Sequence, residues 1–145
     1  NEIVKGLERV LSDTFVLYFK THTFHWNVEG AHFKALHDLF MAQYTELWTA
    51  TDELAERIRA LDSYAPFSLA EMLKASGVKE VEKSLSAVDM IKSLANDNAA
   101  LSATIKPLIK AAQDGGDEVT ADILIGRMTV HDKAAWMLRS TVKAG

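Results

Sequence analysis

"FHWNVEGAHFKALHDLFM", residues 24–41, places His25 and His37 on either side of a single glycine, Gly30. Apolar residues recur at helical spacing before and after its centre, whereas the segment NVEGAH interrupts that pattern. Glycine is the residue most often found just past the end of a helix, so Gly30 is a C-cap candidate. The stretch therefore predicts a helical hairpin in which His25 and His37, one on each arm, meet.

Two long helices extend outward from this hairpin. The first covers residues 2–28, and one side of it carries Val4, Leu7, Leu11, Phe15, Tyr18, His22 and His25. The second runs from about residue 33 to about residue 61, and its core positions are Phe33, Leu36, Phe40, Leu47, Leu54 and Ile58.

The rest of the chain predicts one short and two long helices. After the loop DSYAPFS, Ser68 is an N-cap candidate for the short helix LAEMLKAS. A third long helix covers about residues 84–112, in which Pro107 predicts a kink or an early end. The turn QDGGDE precedes a last helix over about residues 118–143.

These elements predict an all-α fold with a single domain over residues 1–145. The first two helices are joined by a short connection, and so are the last two, whereas the connection between them is long enough to run the length of a bundle. That pattern is typical of a ferritin-like four-helix bundle with a short extra helix in the long connection, rather than of a simple up-down-up-down bundle.

Composition excludes several classes of protein. The chain has no cysteine, which rules out disulfides, zinc fingers, iron–sulfur clusters and cysteine nucleophiles, and which is compatible with a cytoplasmic protein. No apolar run approaches the roughly 18 to 20 residues that span a bilayer, and no secretory leader is evident, so we expect no membrane association.

Charge argues against binding to DNA. The formal net charge is −4, and the cations are scattered rather than gathered into a stripe or tail. The chain begins at Asn1 rather than at a methionine, which leaves open a missing Lys-rich N-terminal segment that would bind DNA.

The second helix carries a flank beside its core stripe that is unusually rich in large and chemically active side chains. The flank residues are His37, Met41, Trp48, Asp52 and Glu56. Their sizes predict burial against another subunit. The alternative is a partly exposed side that happens to carry a few large residues.

The flank holds two separate halves of a metal site. Asp52 and Glu56 lie one turn apart and can share an ion, whereas His37 and Asp52 are separated by about 22 Å along the helix. If two subunits pair these helices antiparallel about a two-fold axis, each histidine pair meets the partner's carboxylates, which makes two sites per dimer. Nitrogen and oxygen ligands without cysteine suit iron, manganese or zinc.

Two alternatives to this metal site stay open. Histidines near a core are commonly just hydrogen-bonded, and the segment DELAER is compatible with an ordinary solvated helix end. A di-iron centre inside one bundle is not expected, because only EGAH has the Glu-x-x-His spacing, and it lies on a glycine turn.

Two motifs resemble the Dps family, the mini-ferritins known as DNA-binding proteins from starved cells. They are His-Trp-Asn-x-x-Gly-x-x-Phe-x-x-x-His in THTFHWNVEGAHFKALHDLF and Asp-x-x-Ala-Glu-Arg in TDELAERIRAL. A weaker likeness extends over the whole chain and includes TADIL and HDKAAWML in the last helix.

The resemblance implies a hollow shell of twelve subunits, in the bacterial cytoplasm or nucleoid, that oxidises Fe(II) and stores ferric mineral. The implied oxidant is preferentially hydrogen peroxide, with O2 as the alternative. By position, His25 and His37 would come from one chain, and Asp52 and Glu56 from its partner. Trp26 would lie beside this site.

One position departs from the family pattern. Met41 stands where the family usually has an aspartate ligand, and a thioether is a soft, weak ligand for iron. His22, one turn before His25, is a candidate accessory donor. The departure predicts a weaker site, one altered toward nitrogen ligation, or one that binds zinc.

Iron entry and the rival functions also follow from the resemblance. Asp122 and Asp132 on the last helix are candidates for an acidic pore, and the alternative for both is a solvated surface acid. The rivals to a ferroxidase are a structural or DNA-compacting shell with little catalysis, and a shell in which zinc occupies the site.

Overall fold

The computed structural model describes residues 1–143, which form five α-helices and no β-strand. The helices are α1 (Glu2–Asn27), α2 (Phe33–Ala60), α3 (Leu69–Ala75), α4 (Ala87–Asp114) and α5 (Glu118–Val142). The predicted all-α bundle of four long helices, with a short fifth helix in the long connection, is confirmed. None of the described helices is long and apolar enough to cross a membrane.

The bundle consists of two helical hairpins, α1 with α2 and α4 with α5. Lys20, late in α1, bonds Asp97, early in α4, whereas Gly6 near the start of α1 lies against Leu108 late in α4. These contacts make α1 and α4 antiparallel, so α2 and α4 run in the same direction. The connection over residues 61–86 therefore returns the chain along the bundle, as its length predicted.

A continuous core forms between the four long helices. The predicted stripe of α2 is buried at Leu36, Phe40, Leu47, Leu54 and Ile58. These side chains pack with others from every long helix, which include Leu7, Leu17, Leu94, Leu101, Leu124 and Leu138. Burying a side chain of this size contributes about 1.5–3 kcal/mol, so the core holds the two hairpins together.

One buried carboxylate fastens the long connection to α1. Asp13 accepts hydrogen bonds from Ser76 Oγ at 2.8 Å, from the Gly77 N–H at 2.7 Å and from Arg9 Nε at 2.9 Å. A Cβ at Gly77 would lie 2.5 Å from the Arg9 guanidinium, so a larger residue at this position would displace the end of the Arg9 side chain. The connection is thereby held beside α1, against which α3 also packs.

The hairpin end differs from the prediction in two details. Gly30 is not the C-cap of α1: the helix ends at Asn27, the cap is Val28 in an extended conformation, and Gly30 turns the chain two residues later with φ +119°. Phe33 is not a core residue, because it lies in the first turn of α2, beyond the buried layer, and is 42% exposed.

The third long helix also begins and ends later than predicted. Ser86 caps its start by accepting a hydrogen bond from the Asp89 N–H, and its last residue is Asp114. The early end predicted from Pro107 is therefore wrong. Proline deprives the Ala103 carbonyl of its helical partner, but Ala103 is exposed, so water can replace that bond.

Candidate metal centre

His25 and His37 meet across the α1–α2 hairpin, as the sequence predicted. Their rings stack with centroids 3.7 Å apart and planes 16° from parallel. The Nδ1 of each ring lies 2.7 Å from the backbone carbonyl of the other residue, so two reciprocal hydrogen bonds lock the pair. The first turn of α2 adds Phe33, whose ring stacks on His37 at 4.9 Å.

These two bonds fix the tautomer of both rings. A carbonyl oxygen can only accept, so each Nδ1 must carry the proton and donate it. Each Nε2 then holds a free lone pair, and neither bonds a protein group within residues 1–143. In the described residues, the buried side-chain nitrogens without a hydrogen-bond partner are those of Gln43 and Arg127. The Nε2 atoms of His25 and His37 are therefore accessible. Orientation of a ligating imidazole by a carbonyl at its other nitrogen is typical of metal centres.

Asp52 and Glu56 form the second half of the site on the exposed flank of α2. The pKa of Glu56 is raised, chiefly by a hydrogen bond with the Asp52 carboxyl and further by its negative charge. The two carboxyls are therefore close enough to share a proton. A divalent cation would take the place of that proton, because it offers both oxygens a positive partner.

The two halves do not meet within one chain. His37 and Asp52 are separated by about 22 Å along α2. Within residues 1–143, no group of three or more His, Asp or Glu side chains is close enough to hold one metal ion. One subunit therefore offers two half-sites and no complete one, and their assembly across a dimer stays a prediction.

An aromatic cluster surrounds the histidine pair. Tyr44 stacks on His22 with centroids 3.8 Å apart and planes 11° from parallel, and its ring edge meets His25 at 5.1 Å. Trp26, expected beside the site, contacts His22 at 4.4 Å and is 56% exposed. The His22 ring therefore packs against Trp26 and Tyr44, and its role as an accessory donor stays a prediction.

Other flank residues are open to solvent. Met41 is 49% exposed and Trp48 is 57% exposed, although Trp48 also contacts Tyr18 at 5.2 Å. The two residues lie on the same side of α2 as Asp52. An apolar surface next to two half-sites is what a subunit contact requires.

A hydrogen-bonded network fills the interior of the bundle where α2 meets α4 and α5. Arg127 donates to both oxygens of Glu46 and to His131 Nε2, and His131 Nδ1 donates to Asn98 Oδ1 at 2.8 Å. Burial, and then the charge of Arg127, lower the pKa of His131 to about 3. His131 is therefore neutral, and Arg127 supplies positive charge at this position.

The two pore candidates lie on exposed parts of α5. Asp132 accepts a hydrogen bond from Ser102 Oγ, which holds it against α4. Asp122 makes no hydrogen bond or ion pair within the described residues. Both are surface acids in one subunit, which is compatible with a pore and with ordinary solvation.

Comparison with known proteins places the chain in a family. A family model for the ferritin-like domain matches residues 4–144. The DNA protection during starvation protein 2 of Bacillus anthracis is 35% identical over 96% of this chain and 95% of that protein. This chain belongs to the Dps family.

Solved Dps structures share its fold. The crystal structure of Dps from Staphylococcus aureus matches with a TM-score of 0.96 and 38% identity, covering 99% of this chain and 96% of that one. The Dps protein of Vibrio cholerae matches with a TM-score of 0.93 and 30% identity, covering 98% and 89% respectively. The latter is described as a member of a broad superfamily of ferritin-like diiron-carboxylate proteins.

Sequence reasoning missed two features of this Dps chain. Tyr18 and Tyr44 come from different helices, and periodicity does not tell which side chains touch across them. The Arg127–His131 pair had a signal, since a cation and a histidine one turn apart within an apolar stripe indicate a buried polar network.

Proposed function

We propose that this protein is a shell-forming mini-ferritin that oxidises Fe(II), with hydrogen peroxide as the preferred oxidant, and stores the ferric product as mineral. The observation that carries the proposal is the reciprocal bonding of His25 and His37, which displays two metal-binding nitrogens. The paired carboxyls of Asp52 and Glu56 supply the remaining donors. Membership in the Dps family supports the same chemistry.

Two subunits related by a two-fold axis complete each site. When α2 of one subunit runs antiparallel to α2 of its partner, the histidines of one chain reach the carboxylates of the other, and the symmetry produces two sites per dimer. The contact would bury the exposed Trp48 and Met41. Six such dimers make the proposed closed shell of twelve subunits, which sedimentation analysis would measure.

The donor set suits oxidation of iron. Fe(II) is the substrate, and imidazole nitrogen with carboxylate oxygen is a set that binds it. The negative charges of Asp52 and Glu56 stabilise Fe(III) more than Fe(II), because the attraction grows with the charge on the ion. Electron loss is therefore favoured at this site. Two Fe(II), one hydrogen peroxide and two protons give two Fe(III) and two waters, without release of hydroxyl radical.

Fe(II) entry past Asp122 and Asp132 belongs to the same proposal, as does a bacterial cytoplasmic location. Acidic side chains attract a divalent cation and raise its local concentration at a channel. Asp122→Asn and Asp132→Asn should slow iron uptake into the shell without changing oxidation by disassembled dimers. Unchanged uptake would remove both residues from the pathway.

A second function, zinc binding by a shell with little oxidation activity, is favoured by one observation. Met41 supplies a thioether one turn after His37, where a carboxylate would complete the shell of a second iron. Two imidazoles and two carboxylates are also a normal zinc set. Elemental analysis of the purified protein separates the two functions. One equivalent of zinc per site supports the zinc-binding shell, and one equivalent of iron per site supports the ferroxidase.

Stopped-flow oxidation of Fe(II) by hydrogen peroxide tests the main proposal. We expect oxidation faster than that of free iron, and we expect it to be lost in the double variant His37→Ala with Asp52→Ala. Glu53→Ala is the matched control, because Glu53 is exposed beside Asp52 but about 100° round the helix. Wild-type oxidation no faster than that of free iron would reject the ferroxidase and leave the zinc or structural shell.

A further inference from the structure

Tyr18 is hydrogen-bonded to a base beside the metal centre. Its hydroxyl oxygen lies 2.9 Å from His22 Nδ1, one turn further along α1. A phenol, with a pKa of about 10, is a much stronger acid than a neutral imidazole N–H, so the hydroxyl donates and Nδ1 accepts. Within residues 1–143, neither Tyr44 nor Tyr64 has a comparable bond to a side-chain base.

Aromatic contacts connect this pair to the metal centre. Tyr44 meets His25 at 5.1 Å, stacks on His22 at 3.8 Å and meets Tyr18 at 6.1 Å, all between ring centroids. Electron tunnelling falls steeply with the gap between donor and acceptor, and contacting rings leave almost none. Tyr18 is therefore in electronic contact with a ligand of the proposed site.

The proposed chemistry has an electron deficit that a tyrosine can fill. Two imidazoles and two carboxylates can hold one iron, with Met41 at the position where a further hard donor would help to hold another. One Fe(II) supplies one electron, whereas reduction of hydrogen peroxide to water takes two. A second reductant in contact with the site prevents the one-electron reaction that releases hydroxyl radical.

We propose that Tyr18, with His22 as its proton acceptor, is a redox-active tyrosine that gives the second electron to peroxide when the site holds a single iron. This rests on the proposed ferroxidase function. The O–H bond of Tyr18 breaks, its proton moves to His22 Nδ1 and its electron passes through Tyr44 and His25. One Fe(II), one tyrosine, one neutral His22, one hydrogen peroxide and two protons from solvent give one Fe(III), one neutral tyrosyl radical, one protonated His22 and two waters.

The radical is restored by the substrate itself. A second Fe(II) that arrives at the site gives one electron to the tyrosyl oxygen, and the proton held by His22 returns to it. The surroundings suit a stored radical, because Tyr18 is only partly exposed and its ring packs against Phe15, Tyr44 and Trp48. The phenolic oxygen keeps its hydrogen bond throughout.

Freeze-quenched electron paramagnetic resonance on the assembled protein tests this assignment. Fe(II) is loaded anaerobically at one ion per site, and one equivalent of hydrogen peroxide is added. We expect an organic radical whose spectrum narrows when the protein contains ring-deuterated tyrosine. Tyr18→Phe should reduce the signal to that of an iron-and-peroxide blank, and a second equivalent of Fe(II) should quench the wild-type signal.

Three variants distinguish Tyr18 from other sources. Tyr44→Phe keeps the stacked ring and Tyr64→Phe changes a distant tyrosine, so both should retain the signal. His22→Gln keeps a hydrogen-bond acceptor for Tyr18 but removes the base, so the radical yield should fall severalfold. Signal that persists in Tyr18→Phe, or disappears in Tyr44→Phe, would overturn the assignment.

Iron oxidation in the same samples separates this inference from the proposed function. Mössbauer spectra of the quenched samples report Fe(III) directly. Fast formation of Fe(III) without a tyrosyl radical in the wild type would overturn the role of Tyr18 and leave the ferroxidase intact. Absence of fast oxidation in the wild type would overturn the ferroxidase, and the role of Tyr18 with it. Binding of Co(II) by Tyr18→Phe, followed by its absorption, checks that the site is still assembled.

Discussion

Acid should destabilise this protein through His131, a histidine that the fold keeps neutral. The ring is fully buried and bonded on both nitrogens, to Arg127 and to Asn98. Burial, followed by the charge of Arg127, lowers its pKa to about 3 in the folded chain. An unfolded chain takes up the proton at an ordinary histidine pKa of about 6.5. Between these two values only the unfolded state binds the proton, so stability falls as the pH falls.

The size of this effect follows from the two pKa values. One proton of difference changes the free energy of unfolding by about 1.4 kcal/mol per pH unit. Lowering the pH from about 7.5 to about 5 should therefore cost about 2 kcal/mol through His131 alone. The contribution is complete above the unfolded pKa and disappears as the pH approaches that of the folded state.

The perturbation that tests this is His131→Gln. Glutamine can accept from Arg127 and donate to Asn98, but it does not titrate. Guanidinium unfolding followed by circular dichroism at about pH 7.5 and about pH 5, at one protein concentration, gives the two free energies for each protein. We expect the wild type to lose about 2 kcal/mol more than the variant between these pH values. The exposed His32→Gln is the control and should behave as the wild type does. Equal losses in the wild type and His131→Gln would refute the reasoning.

Three further predictions concern the site and the core. Met41→Asp should restore a hard donor one turn after His37 and add a second, weaker binding step in a Co(II) titration, whereas an unchanged stoichiometry would count against the assignment of Met41. Phe40→Ala should cost about 3–5 kcal/mol in unfolding free energy, because Phe40 is fully buried, whereas Val88→Ala on the surface should cost little. Asp117→Ala should cost about 1–2 kcal/mol, since its carboxylate caps α5 by bonding the Thr120 N–H. Although burial alone would raise it, the pKa of Asp117 is lowered by its hydrogen bonds and by the charge of a neighbouring arginine, so the stability it contributes should disappear as the pH falls below about 4.

Helical periodicity predicted the architecture because each long helix buries one continuous stripe. Leu36, Phe40 and Leu54 lie at core positions of α2 as the pattern required. Periodicity shows on which face of a helix a residue lies, but not how far that residue is from the end of the bundle. Phe33 has the correct angle, yet it lies past the core and stacks on His37 instead.

Ends of helices were harder to predict because they depend on local hydrogen bonds. The start of α4 is set by Ser86, whose Oγ accepts a hydrogen bond from the Asp89 N–H. A proline ends a helix where the carbonyl that loses its hydrogen bond is buried. The carbonyl that Pro107 affects belongs to an exposed residue, so α4 continues past it. Burial on that side of the helix depends on the packed bundle, which the local sequence does not specify.

The metal centre could be predicted only in part. The meeting of His25 and His37 follows from a short hairpin, and the separation of Asp52 from them follows from helix length. The reciprocal carbonyl bonds, which fix both tautomers, depend on the backbone of a turn whose φ values the sequence does not determine. The contact between Tyr44 and His22 depends on the angle between two helices.

Complementation between two inactive variants tests the central claim, that each site is divided between two subunits. One variant lacks the histidines (His25→Ala with His37→Ala), and the other lacks the carboxylates (Asp52→Ala with Glu56→Ala). Each assembled alone should fail to accelerate Fe(II) oxidation by hydrogen peroxide. When the two variants are co-assembled from equal amounts, half of the dimers contain one subunit of each. Each mixed dimer has one intact site out of two, so about a quarter of wild-type activity should return. Mixed shells as inactive as their parents would contradict a site shared between subunits.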